Sequence, residues 1–161
     1  MKFGGTSLRD EHCRAHALQH IKRYHGSGER IVVVVSAMGK TTNALEKVIE
    51  AYFENKPRLS HELLALKEFH LKIVEDLFEE QAAKIAEEVH AYFEDLQSFL
   101  KSNKAPNYSF VYDQVVSYGE LLSTTIIHRY FEFQGWKSFW LDARDCIKTD
   151  DYYRAANLNW E

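Results

Sequence analysis

"RIVVVVSAMGKTTN", Arg30 to Asn43, decides the fold class. Its centre, Ile31 to Val35, is an unbroken β-branched run without polar alternation. Such a run is expected to bury both faces, as a strand does in the middle of a parallel sheet. Ser36 to Asn43 then leaves the carboxyl end of that strand, small and rich in donors, and opens a helix. Open α/β sheets gather their ligands at such ends. Ser36, Gly39, Lys40, Thr41 and Thr42 are the groups on offer. The Gly-Lys-Thr at its centre is not a Walker phosphate loop, because the glycine required five residues earlier is Val34. A Gly/Thr/Asn loop also turns a chain and caps a helix with no ligand at all, and that reading stays open here.

Upstream, "KFGGTS", Lys2 to Ser7, leaves room for a very short strand at Lys2 and Phe3. Gly4 and Gly5 let another group approach the backbone, and Thr6-Ser7 offers caps for a helix. A lysine, bare N–H groups and a helix N-terminus in one place suit an anion, most naturally a phosphate. Leu8, Ala15, Leu18, Ile21 and Tyr24 recur at helical spacing, Ser7 with Asp10 resembles a capping box, and "HGSG", His25 to Gly28, ends the helix. Strand, helix and buried strand make a βαβ unit, normally right-handed.

Downstream, Leu45 to Ser102 changes character. Leu63, Leu66, Phe69, Ile73 and Leu77, then Ile85, Val89, Tyr92, Leu96 and Phe99, track two amphipathic helices. Pro57-Arg58 separates an earlier helix from the first, and "KSNKAPN", Lys101 to Asn107, ends the second. Two helices packing on each other account for this stretch, which carries no identifiable chemistry. The α/β pattern then resumes, with a turn at Tyr118-Gly119, a helix from about Glu120 to Phe133 closed by Gly135, and a strand over "KSFWLDA", Lys137 to Ala143. The expected fold class is a three-layer α/β/α sandwich around a mainly parallel sheet, with a long helical-hairpin insertion at about 45–105.

Two further segments hold candidate groups. In "SYGE", Ser117 to Glu120, an acid after a glycine at a helix start favours the helix dipole, or else Glu120 enters the same cleft and receives a substrate ammonium. "DARDCIKTDD", Asp142 to Asp151, also follows an expected strand, although its charges equally suit a solvated loop. His12, His16 and His20 stack on one helix face, but no carboxylate or cysteine completes a metal set, and a solvated face explains them.

The chain of 161 residues is 45% hydrophobic, enough for one domain with a real core. A net charge of −4 gives no reason to expect nucleic acid as a partner. No apolar run approaches the roughly 20 residues that span a bilayer. Cys13 and Cys146 fit no disulfide or metal spacing, so reduced thiols in cytoplasm are the default.

"KFGGTS", "VVSAMGKTTN", "SYGELLS" and "DARDCIKTD", in this order, resemble the aspartokinases of the amino acid kinase superfamily. The four motifs together are specific, while each alone is not. The resemblance implies MgATP-dependent phosphorylation of L-aspartate to 4-phospho-L-aspartate, the committed step towards lysine, threonine and methionine, in a protein expected to be a homo-oligomer. It implies that Lys2 contacts the ATP phosphates and offsets charge on the transferring group, with Gly4, Gly5 and Ser7 beside them. Ser36 and Thr42 match positions that hold aspartate, and Glu120 matches the acid that pairs with its α-ammonium. No residue is assigned to Mg2+, which arrives with the nucleotide.

The family's chain continues past this length, with a second glycine-rich segment, an arginine for the substrate α-carboxylate and loops around the adenine. Nothing after Asp151 matches these, so the resemblance implies an amino-terminal portion of the kinase domain, weakly active or inactive alone and with an apolar sheet edge or face exposed. A superfamily kinase for another amino acid or a carbamate, or a non-catalytic module docking a partner on the paired helices Leu59 to Leu100, is the alternative.

Overall fold

Two short strands and six helices build the described residues, 1–54, 56–105 and 107–160, of the computed structural model. β1 (Lys2–Phe3) and β2 (Val34–Val35) pair in parallel, Lys2 against Val34 and Phe3 against Val35. The Ser36 N–H extends the ladder by donating to the Phe3 carbonyl at 3.0 Å. The chain therefore leaves both strands at the same end, with Gly4 and Ser36 side by side.

A 3-10 turn, Gly5–Leu8, leads to α1 (Glu11–His25). The cap of α1 is Asp10, not Ser7: the Cys13 N–H donates to Asp10 Oδ1 at 2.8 Å. That bond, helped by Arg9, holds the Asp10 carboxyl down at about 2. Leu18 and Ile21 on α1 are buried as expected, while Ala17 takes the inward place that the spacing gives to Ala15. Crossing over α1 joins the two strands, so the strand–helix–strand unit is present.

The rest is helical. α2 (Thr41–Glu54), α3 (Lys56–Phe78) and α4 (Ala82–Ser102) pack in sequence, and α5 (Tyr108–Phe133) packs against all three. α2 ends at Glu54 and α3 starts at Lys56, so Pro57-Arg58 stands in the first turn of α3 and not ahead of it. α4 ends at Ser102, where "KSNKAPN" is expected to stop it; Pro106 of that motif lies outside the described residues. Leu45 and Val48 of α2, Leu66 and Val74 of α3, Val89 and Leu96 of α4, and Val115 and Leu122 of α5 share one apolar cluster with Leu18, Ile21 and Val35. Helices α2 to α4 are thus continuous with the core around the sheet.

Three expectations fail here. Strand geometry covers only Val34–Val35 of the valine run, and Val32 and Val34 are 76% and 52% exposed. With two strands in the sheet, one face of the run packs inward while nothing among the described residues covers the other. "KSFWLDA" forms no strand; Phe139 is exposed, and the segment leads to a one-turn helix, α6 (Ala143–Cys146), capped by Asp142. Tyr118-Gly119 is not a turn: α5 runs straight through it, because Tyr118, Gly119, Leu121 and Leu122 all find burial on helical faces. The described residues accordingly form a two-stranded parallel sheet under a helical majority, not a three-layer sandwich. Helices α2 to α4 occupy most of 45–105.

Candidate functional site

Three chain segments converge beyond the ends of β1 and β2. The first is Gly4 to Ser7. A Cβ on Gly5 would lie 2.8 Å from the Ala37 carbonyl oxygen and 3.1 Å from that of Gly39. Only glycine lets the two loops touch, and the Gly39 N–H donates to the Gly5 carbonyl at 3.2 Å. Gly4 differs, for the sole atom near its absent Cβ is Lys2 Nζ at 3.7 Å. The exposed Lys2 side chain therefore folds back over an open stretch of backbone, and no ion pair of Lys2 is formed among the described residues. Ser7 is exposed on the next turn, its N–H donating to the Gly4 carbonyl at 2.9 Å.

The second segment is Ser36 to Thr42. Gly39 takes φ +57°, a left-handed value that glycine adopts without strain, and so turns the loop into α2. Thr41 is buried and donates its hydroxyl to the Met38 carbonyl at 2.7 Å. Thr42, beside it in the first turn of α2, is exposed.

The third is α5 at Glu120. One carboxylate oxygen, Oε1, accepts from the Ala37 N–H at 3.2 Å and from the Ser36 hydroxyl at 3.4 Å. Glu120 is solvent-exposed, near the middle of α5 and far from either terminus, so the helix dipole does not explain it. Gly119 makes the approach possible, since a Cβ there would lie 2.9 Å from the Ala37 Cβ. The helix leans on the loop through that glycine and presents the next residue to it.

Ser36, Thr42 and Glu120 thus sit around one loop, with Lys2, Gly4, Gly5 and Ser7 on the neighbouring loop of the same sheet edge. The Ala37 N–H was not foreseeable as the principal donor to Glu120, because backbone donors carry no residue signature. Asp142 to Asp151 takes no part in these contacts: Asp142 pairs with Arg144 at 2.6 Å, which with its own cap bond keeps the carboxyl below the usual range. The rings of His12 and His16 lie 4.8 Å apart, centre to centre, and no group of three metal-ligating side chains occurs among the described residues.

The arrangement offers a cation over open backbone, a hydroxyl pair and a fixed carboxylate. It can hold a polyanion on one loop and an ammonium-bearing molecule on the other.

The model of the amino acid kinase family matches residues 1–159. Chloroplastic aspartokinase 1 of Arabidopsis thaliana is 32% identical over 160 residues, which are 94% of this chain and 27% of that protein. A solved structure of E. coli aspartokinase III in complex with aspartate and ADP, in its R-state, has 26% identity and a TM-score of 0.80 over 98% of this chain and 34% of that one. A second structure of that enzyme, with lysine and aspartate in the T-state, has the same fold at a TM-score of 0.81. The chain spans about a quarter to a third of the length of these proteins. No helix among the described residues is long and apolar enough to cross a membrane. The α/β character read from the valine run is that of the family, and this chain belongs to the amino acid kinase family.

Proposed function

We propose that the protein carrying this chain transfers the γ-phosphoryl group of MgATP to the side-chain carboxylate of L-aspartate, giving 4-phospho-L-aspartate. Residues 1–161 then form the amino-terminal portion of its kinase domain. The observation that carries the reading is the bond set of Glu120 with Ser36 and the Ala37 N–H, next to the Lys2–Gly4 loop. An exposed carboxylate fixed beside a hydroxyl suits the α-ammonium of an amino acid. The resemblance to aspartokinases points to aspartate as that amino acid.

The attacking group on such a substrate is its own carboxylate, ionised at neutral pH with an ordinary pKa of about 3.9. No general base is needed, and the loops contain no histidine. The obstacle is repulsion between carboxylate and triphosphate: two unit charges 4 Å apart at an effective dielectric of 20 interact by about 4 kcal/mol. Lys2 Nζ, held over Gly4, offsets that charge, and the open Gly4 backbone and Ser7 receive phosphate oxygens. Gly5 fits the cradle differently, because its missing side chain is used by the Ala37 and Gly39 carbonyls. Mg2+ bound through the nucleotide supplies further positive charge at the phosphates. Ser36 and Thr42 orient the aspartate, with Glu120 on its ammonium. The free thiols Cys13 and Cys146 suit a cytoplasmic setting, and a homo-oligomer follows from the same family reading.

The test is ADP release by the gene product that carries this chain, with aspartate, glutamate and carbamate as acceptors. Aspartate is expected to be preferred. Glu120→Gln should raise the aspartate KM by about tenfold or more, and Lys2→Ala should mainly lower kcat. Unchanged kinetics in both variants, or preference for another acceptor, overturn the proposal.

A further inference from the structure

The paired helices hold a buried histidine that the reaction just described does not use. His70, in the middle of α3, is completely buried, as is Thr41 at the start of α2. His70 Nδ1 lies 2.9 Å from the Leu66 carbonyl oxygen, which only accepts, so Nδ1 carries the proton. Burial lowers the imidazole to about 4, leaving the ring neutral at pH 7 and Nε2 a bare acceptor. Nε2 faces Thr41 Oγ1 at 3.4 Å. The single Thr41 hydroxyl proton therefore stands between two acceptors, Nε2 on α3 and the Met38 carbonyl at 2.7 Å in the loop. The neighbouring Phe69 closes the other side of the same turn, its Cζ 3.4 Å from where a Cβ on Gly39 would be. The loop is thus braced by α3 on one side and by Glu120 of α5 on the other.

We propose that His70 is a positioning residue for the substrate loop: by holding Thr41, it fixes the first turn of α2 so that Ser36 and Thr42 are presented together with Glu120. The inference rests on the reading of Ser36 to Thr42 as the substrate loop. It gives the helical stretch a role in substrate affinity beyond packing. Ring shape distinguishes that role from mere core filling. An asparagine at 70 keeps a donor near the Leu66 carbonyl but does not reach Thr41. A glutamine extends an amide group to the place of Nε2.

The experiment measures KM for aspartate and for ATP, kcat, and thermal stability in the gene product that carries this chain. His70→Asn is expected to raise the aspartate KM about tenfold while the ATP KM stays within about twofold, and His70→Gln to recover most of that loss. Thr41→Val, which also removes the bond to the Met38 carbonyl, should raise the aspartate KM at least as much as the asparagine variant. Adding His70→Asn to it should change little further, since the link to His70 is already cut. An unchanged aspartate KM in His70→Asn, equal damage in the Asn and Gln variants, or parallel increases in both KM values overturn the proposal. If His70→Asn does not fold, Thr41→Val decides by the same criteria. Glu120→Gln separates the two failures: an aspartate KM that responds to Glu120 but not to His70 removes this inference alone, and one that responds to neither removes the substrate loop as well.

Discussion

Gly119 and Ala37 are in contact across the boundary between α5 and the loop after β2, with a separation that would be 2.9 Å between two Cβ atoms. Thr41 Cγ2 and Leu45 Cδ1 close the remaining space at 3.3 and 3.4 Å. Alanine in a helix interior is ordinarily favoured over glycine by about 1 kcal/mol. Here the added methyl must push α5 off the loop, and overpacking of this kind costs roughly 1–3 kcal/mol. Gly119→Ala is therefore expected to lower unfolding free energy in urea by about 1–2 kcal/mol, against the helix-propensity trend. A stabilised variant would show that the helix can move aside freely.

The two early glycines should separate in the same way. At Gly5 a Cβ meets backbone carbonyls at 2.8 and 3.1 Å, which cannot rotate away, whereas at Gly4 it meets only the far end of the Lys2 side chain at 3.7 Å. Gly5→Ala is expected to destabilise the chain, with loosened amide-exchange protection at Gly39. Gly4→Ala should leave the unfolding midpoint nearly unchanged, since 3.7 Å is ordinary contact, and weaken nucleotide binding by covering the open backbone. Equal stability losses at both positions would contradict the division of labour between them.

These glycines show what the sequence allowed a reader to see. The order of elements around the site was legible because strand, loop and helix signals were local: the valine run, the Gly-rich steps, the apolar spacing of Leu63 to Leu77. Gly119 was misread because a glycine after a tyrosine has the same local signature in a turn as in a helix packed tightly on a neighbour. The deciding contact, Ala37, lies 82 positions away in the chain, as 119 minus 37. The valine run misled for a related reason. β-branching reports a preference for extended backbone, but burial of its second face depends on a neighbour that the described residues do not supply. His70 was in reach: it continues the inward stripe of Leu66 and Ile73 at helical spacing, a place where a polar ring needs a partner.

Acid should expose that partner. His70 titrates near 4 in the folded chain against an ordinary 6.5, with burial as the dominant cause and the Leu66 carbonyl opposing it. Between those values the unfolded chain binds more protons than the folded one, so stability rises with pH. The contribution is fully present above about 6.5 and is lost as pH falls towards 4, on the order of 3 kcal/mol in all. The Asp10 cap, held at about 2, gives way only at more acid pH, below its ordinary 3.8. Melting temperature recorded from pH 7 to 4 should thus decline in the wild type and decline less in His70→Asn. Parallel curves would mean that His70 is not the group that charges on unfolding.

Arg14 poses the opposite problem, a cation that folding places in a poor site. Its residue is 4% exposed, its Nε has no hydrogen-bond partner among the described residues, and the carboxylate it pairs with, Asp76 on α3, stands 3.8 Å from Nη2. Burial pulls its pKa down, with Asp76 opposing. Asp76 is moreover shared with Lys72, which approaches its other oxygen at 3.0 Å. An ion pair this long and divided recovers little of the desolvation cost, and replacing such pairs with apolar groups of similar volume is often neutral or stabilising by about 1–4 kcal/mol. Arg14→Met should accordingly leave the chain as stable as before or more so. Asp76→Asn should destabilise it, because the guanidinium then stays buried with only the more distant Asp10 and Glu11 to oppose the cost. Urea titrations of the two single variants and the double variant separate the cases: the asparagine penalty should vanish once methionine occupies position 14. A large loss in Arg14→Met would instead mean that the guanidinium stem packs α1 against α3 more tightly than its charge weakens the contact.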